Sequence, residues 1–358
     1  MKRTPVACLL ASIAIVQILS CASPGKSEPT ESAEASQETG SGKIIYDPTQ
    51  KPEETSKRKN EKSPMESPVT AELTATNLGD AVRAVGEAHG GNLVLMAGAE
   101  PRPVAPANFK RAELSEVATS LAAAAGLAVQ ETPDYYFLFL PGYEPLVDVS
   151  LTGKLSPGFS LDTTDVTFGS GLRLYTVFAW MGYALDRTII ADNSVADARC
   201  GELALQQVPL EAALEAILKS ARVHAFAVDS SDEYVFFHNP NNTSPADALL
   251  NTNALDSEQE ALLNQTVSLV LPQAPTPGQP LEMQQHPTDL GQVLNSLTRQ
   301  LGVTVVAEEG LEELPVNPAV MVNVKVRTAL NLLVRQWLVP NYGYQVTHDR
   351  IVIRTRQP

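Results

Sequence analysis

The chain has 358 residues, 44% of them hydrophobic and 19% charged, and a formal net charge of -15. That length accommodates two or three domains. An acidic balance with no basic cluster on any predicted helix argues against a nucleic-acid partner, and against an anionic membrane bound through charge, because both need Lys and Arg to neutralise phosphate.

Residues 1–21 read MKRTPVACLLASIAIVQILSC. Lys2 and Arg3 form a basic start, and the apolar run that follows, from Val6 to Leu19, is short for a membrane-spanning helix. A cysteine stands where the apolar run stops. Ile18-Leu19-Ser20-Cys21 resembles the bacterial lipobox, which implies acylation of Cys21, cleavage before it, and a stable lipid anchor. Each buried CH₂ of such an anchor contributes about 0.8 kcal/mol. An ordinary secretory leader cut near Ala22 is the alternative. Ala22, rather than Asp, follows the cysteine, which by analogy with enterobacterial sorting points to the outer membrane, periplasm-facing, with the inner membrane as the alternative. Residues 22–68 are rich in Ser, Glu, Thr, Lys and Pro and are expected to be a disordered tether with an r.m.s. span of about 40 Å. Of the three cysteines, Cys8 and Cys21 fall in this leader. Cys200 is left alone, without a disulfide framework, and reads as a structural residue.

Beyond the tether one module recurs three times. With the first copy shifted by 96 residues and the second by 116, Leu78, Leu174 and Leu290 align, as do Val85, Met181 and Leu297. The three-and-four spacing between them predicts an amphipathic helix. Leu93-Val94, Ile189-Ile190 and Val305-Val306 follow as a strand, and Phe109, Leu205 and Met321 mark a second strand. Val117, Ala213 and Ala329 open a second helix. Thr76 and Thr288 are the expected helix N-caps. Each copy closes on a predicted hairpin, at 127–140, 224–238 and 344–355. A further strand is predicted ahead of each first helix, at 72–75, 165–168 and 281–284. Each unit therefore reads β-α-β-β-α-β-β, an α+β fold with two helices on a sheet. The expected domains are 1–20 (signal peptide), 21–68 (acylated tether), 69–141, 147–239 and 265–356. The intervening segments are linkers, with a helix near 257–263 and strand-like stretches at 147–151 and 267–271 that could extend the sheet of the module that follows.

In the second copy, Thr188-Ile189-Ile190, the alternating strand at 203–208 and the helix entry Pro209-Leu210-Glu211-Ala212-Ala213-Leu214 resemble a known family. It is the short N-terminal (STN-like) domain shared by bacterial outer-membrane secretins and TonB-dependent transducers. The third copy keeps the pattern at Val326-Arg327-Thr328-Ala329-Leu330 without the proline, and the first is weaker. A related domain closes anti-sigma regulators of the iron-citrate type. The chain departs from the secretin and transducer pattern, in that neither a Gly-rich channel domain nor a transmembrane barrel is expected here. What the resemblance implies is a fold and periplasmic modules that dock to partner proteins, with no catalytic residues to transfer.

No recognisable catalytic constellation is visible. His89, His224, His238, His286 and His348 show no metal-ligand spacing, and there is no P-loop, nucleophile elbow or dinucleotide fingerprint. No enzyme, cofactor or metal is expected. Trp337, with Tyr342 and Tyr344 close behind, is core by default and a candidate partner contact otherwise. The expectation is thus a non-enzymatic lipoprotein that scaffolds a secretin, pilus or transport assembly, its modules on flexible joints. The alternatives are a receptor for a small ligand or glycan between modules, and an envelope signalling module.

Overall fold

The computed structural model describes residues 64–74, 76–160, 162–271, 287–338 and 341–356. The leader, Cys21, most of the expected tether and the strand predicted at 281–284 lie outside them. The described residues reach back before the expected boundary at 69. A 3-10 turn, Pro64–Glu66, already packs Met65 against the first core.

Module 1 contains β1 (Val69–Leu73), β2 (Thr76–Asn77), α1 (Leu78–His89), β3 (Leu93–Leu95), β4 (Pro103–Val104), β5 (Ala107–Ala112), α2 (Leu114–Ala125), β6 (Ala128–Glu131) and β7 (Tyr136–Phe139). Module 2 contains α3 (Pro157–Ser160), β8 (Thr163–Phe168), α4 (Leu174–Leu185), β9 (Thr188–Ala191), α5 (Asn193–Ala196), β10 (Leu203–Pro209), α6 (Leu210–Ser220), β11 (Ala227–Ser230) and β12 (Tyr234–His238). After α7 (Ser257–Leu263), module 3 contains β13 (Thr266–Leu271), β14 (Thr288–Asp289), α8 (Leu290–Leu301), β15 (Thr304–Ala307), β16 (Pro315–Val316), β17 (Ala319–Lys325), α9 (Val326–Val334), β18 (Tyr342–Val346) and β19 (Arg350–Thr355). The fold is α+β, with small mixed sheets.

One wiring serves all three modules. The first long strand pairs antiparallel with the strand before the second helix, as β1–β5, β8–β10 and β13–β17. The strand after the first helix pairs in parallel with the last strand of the closing hairpin, as β3–β7, β9–β12 and β15–β19. Local detail repeats as well. Arg111, Gln207 and Asn323 each bulge their strand with a positive φ, near 50°. Their N–H groups donate to Thr70 Oγ1, Asp165 Oδ1 and Ser268 Oγ of the paired strand, at 3.1, 2.7 and 3.0 Å. Those side-chain acceptors satisfy donors that the bulge withdraws from the ladder. The first helices end at left-handed Gly90, Asp186 and Gly302.

Two expectations need correction. The caps fall one residue later than read. Asn77 and Asp289 stand at N-cap, and Asn77 Oδ1 accepts from Asp80 N at 2.8 Å, while Thr76 and Thr288 belong to the short bridges β2–β4 and β14–β16. The stretch 147–151 forms no strand; its Val149 and Leu151 instead drop into the core that modules 1 and 2 share. The stretch 267–271 does join the sheet of the module that follows, as expected, within β13 and antiparallel to β17.

The cores explain how the modules join. Leu93, Leu95, Tyr136 and Leu138 point into module 1's own core. On the other face of the same strands, Val94 and Phe137 lie in the core of module 2. One module on, Ile190 and Phe236 of module 2 lie in the core of module 3. The hairpin sheets of modules 1 and 2 are thus covered by their own helices on one side and by the next module on the other. The joints are packed, not flexible, and the described residues form one compact unit.

Candidate interaction surfaces at the module junctions

The two junctions are built from equivalent contacts. α1 approaches β10 so closely at Gly86 that an added Cβ would collide with that of Ala204. α4 repeats this at Gly182, where a Cβ would stand 2.7 Å from Arg187 O and 3.3 Å from Val320 Cβ. Asn92 Oδ1 accepts from Gln206 N at 2.7 Å, and Thr188 Oγ1 accepts from Val322 N at 3.1 Å. Ala97 N donates to Ser220 O and Asn193 N to Gln336 O, both at 2.8 Å. At the first junction the ladder itself continues, with Leu203 opposite Val94 and Ala204 opposite Leu93, giving a sheet in the order β6-β7-β3-β10-β8.

Charge is buried at both junctions. Glu202, 1% exposed, takes a two-pronged hydrogen bond from Arg83 at 2.7 and 2.9 Å and a third from Ser170 N at 3.1 Å. That pairing raises the Arg83 pKa above its ordinary value. Gly201 beside it has no room for a side chain, since a Cβ would fall on Leu95 O. Lys219, 1% exposed at the end of α6, meets Glu215 at 2.9 Å and Gln130 of module 1 at 3.1 Å, beneath the Tyr135 ring. Tyr135 donates to Glu215 at 2.8 Å, and burial, then that carboxylate, pushes its hydroxyl pKa well up. The residue one repeat after Lys219 is Arg335, which pairs with Asp229 of module 2 over the Phe236 ring. A cation on the second helix reaching back over the preceding hairpin is common to both joints.

The residues singled out from sequence as a partner contact do not form an exposed surface. Trp337 is 6% exposed, Tyr342 4% and Tyr344 0%. The indole donates to Pro315 O at 3.0 Å and packs edge-on to Tyr342 with centroids 5.4 Å apart. All three belong to the core of module 3. Cys200 is buried, donates to Gly169 O at 3.5 Å, and has its thiol pKa pushed by burial to about 12. Among the described residues no group of His, Cys, Asp and Glu is arranged to hold a metal ion, and no helix is long and apolar enough to cross a membrane.

Sequence reasoning missed the junction residues, although a signal for them existed. Residues 135–140 and 234–237 are unbroken apolar runs, as strands buried on both faces are, whereas the apolar run of β19 is only Ile351-Val352-Ile353, closed on both sides by Arg350 and Arg354. Comparison of the chain with protein-family profiles, with curated proteins and with solved structures gives no match.

Proposed function

We propose that the chain is a non-enzymatic envelope lipoprotein, held at a membrane through Cys21, whose STN-like modules serve as a docking scaffold for a secretin, pilus or transport assembly. The observation that supports this is the doubled junction. Within one chain, this module twice binds another of its kind through the same sheet face, helix approach and side-chain acceptors. A fold whose internal chemistry is module-to-module recognition suits recognition of further modules outside the chain. The lipid would keep that surface local to the envelope.

The test is affinity capture from detergent-solubilised envelopes with the full chain, alongside Cys21→Ser. Saturable recovery of a secretin, pilus or transporter component, reproduced with purified proteins, is the expected result. Envelope fractions that yield no protein partner overturn the scaffold reading, and membrane fractionation of Cys21→Ser unchanged from wild type overturns the anchor.

A further inference from the structure

The two ends of the modular stack differ. At the back of module 3, Thr304 and Glu308 turn their N–H groups toward β19, donating to Asp349 O and Ile353 O at 3.2 and 2.8 Å. Val305 between them faces the outer edge. Its counterpart Leu93 pairs there with the next module. In module 3 a side chain takes that place. Thr298 Oγ1 accepts from Val305 N at 2.9 Å and donates to Val305 O at 3.2 Å. Thr298 stands where modules 1 and 2 carry Gly86 and Gly182, the residues that let a following strand approach. The outer sheet face also lacks its aromatic: Val352 replaces Phe137 and Phe236, and Val306 is 37% exposed where Val94 and Ile190 are buried. The back of module 3 is a solvent face with a plugged edge.

Among the described residues the front of module 1 carries no such plug. There β5 pairs only with β1, leaving its other edge without a strand, whereas β10 uses that edge to extend the preceding sheet. Asn108 and Lys110 of β5 are exposed, while their counterparts Ala204 and Val320, and the backbone N–H groups of Gln206 and Val322, are engaged across the junctions. On α2, Ala123 and Ala124 are exposed where Lys219, Ser220, Arg335 and Gln336 are buried. Lys110 has a defined task in such a joint. Its counterpart Gln206 lies against Gly90, at the carboxyl end of α1, and a lysine there would face the negative end of a helix dipole.

We infer that the front face of module 1, formed by the open edge of β5 and the Ala123–Ala124 side of α2, is the docking surface of this chain, and that it receives the back face of a same-fold module carried by another protein. That module presents a glycine on its first helix and an unplugged strand edge. A second copy of this chain is excluded as the occupant, because its own back face carries Thr298. The inference rests on the scaffold reading and assigns its surface.

The experiment uses the full, acylated chain in its native envelope with a photo-crosslinking amino acid at Asn108, at Ala124, or at Val306 as control. Crosslinks from Asn108 and Ala124, but not Val306, to a helix–strand segment of one other protein are expected. Ala123→Arg in the same background should reduce them at least tenfold while leaving the thermal midpoint unchanged. Three results overturn the inference: crosslinks chiefly from Val306, adducts only between copies of this chain, or adducts indifferent to Ala123→Arg. If a partner is captured but is indifferent to the front-face substitution, the surface is wrong and the scaffold reading stands. If no adduct forms and no partner is captured, both fail. Hydrogen exchange of the unmodified chain gives an independent measure: fast exchange at Lys110 N–H beside slow exchange at Gln206 and Val322 is expected, and protection of Lys110 overturns the open edge.

Discussion

Arg83 of the first module grips Glu202 of the second through its Nε and Nη2 groups, and Glu202 is almost wholly buried while the Arg83 side chain keeps 42% of its surface in solvent. The asymmetry decides what removal does. Truncating the arginine leaves a buried carboxylate with only the Ser170 N–H. Arg83→Ala should therefore cost about 2–3 kcal/mol, at the lower end for a broken buried pair because water reaches the vacated side. Adding Glu202→Gln should recover part of the loss. Urea unfolding of the single and double variants measures both. A loss below about 0.5 kcal/mol for Arg83→Ala would show that the pair contributes nothing to the junction.

Thr298 closes the edge of β15 with one hydroxyl that serves both polar groups of Val305. Thr298→Val keeps the shape and removes the hydroxyl, so the strand edge regains a free donor and acceptor. Loss of about 1 kcal/mol is expected, because solvent can reach the freed groups. Association needs the bulk removed as well, because modules 1 and 2 carry glycine at this place. Thr298→Gly should therefore associate where Thr298→Val does not, since an unblunted edge strand pairs with other chains, and sedimentation over a range of concentrations reads this directly. Val305 N–H still protected from exchange in Thr298→Val would show that the hydroxyl is not what closes the edge.

The repeat, the helices and the hairpins were legible because each is a local pattern. Leu78, Val85, Val117 and Leu121 fall on one face of their helices whatever lies beyond the module. The junctions were not, because their chemistry sits in residues whose neighbours are distant in sequence. Asn92 is an ordinary loop polar residue until Gln206 N–H is seen to reach it, and Glu202 is an ordinary carboxylate until Arg83 arrives across 119 positions. Gly86 and Gly182 look like weak points in otherwise good helices, and only the strand packed against each explains them. The apolar runs at 135–140 and 234–237 were the sequence features that could have announced sheets covered on both faces. The Trp337 group, core by default and core in the fold, was open to a contact reading because aromatic density is shared by interfaces and cores and does not tell one from the other.

Cys200 gives the stability of the chain a specific alkaline dependence. Burial holds its thiol pKa at about 12, above the ordinary range near 8.5. The folded state therefore keeps a proton that the unfolded chain releases, so this contribution is fully present below about pH 8.5 and is lost as pH rises toward 12. The slope is about 1.4 kcal/mol per pH unit in that window. Between pH 8.5 and 10, wild type should lose on the order of 1–2 kcal/mol more than Cys200→Ala. Tyr135 and Tyr344, whose pKa values burial also raises, act in the same sense but only above the ordinary tyrosine range. Parallel pH profiles for the two proteins would mean that the thiol is accessible in the native state. A neutral thiol reagent checks this at pH 8, where it should react only on unfolding.

Trp337 separates core from contact by experiment. Its indole is spent inside module 3, with the N–H on Pro315 O and the ring against Tyr342. Trp337→Ala should therefore cost about 3–5 kcal/mol, through both the cavity and the orphaned carbonyl. Trp337→Phe keeps most of the volume and gives up the hydrogen bond, so a loss of about 1–2 kcal/mol is expected. Neither substitution touches an exposed face, and at a temperature where Trp337→Phe is fully folded its affinity for a captured partner should equal that of wild type. The opposite pattern, stability retained in Trp337→Ala with capture abolished in Trp337→Phe, would return this residue to the surface role that its sequence neighbourhood suggested.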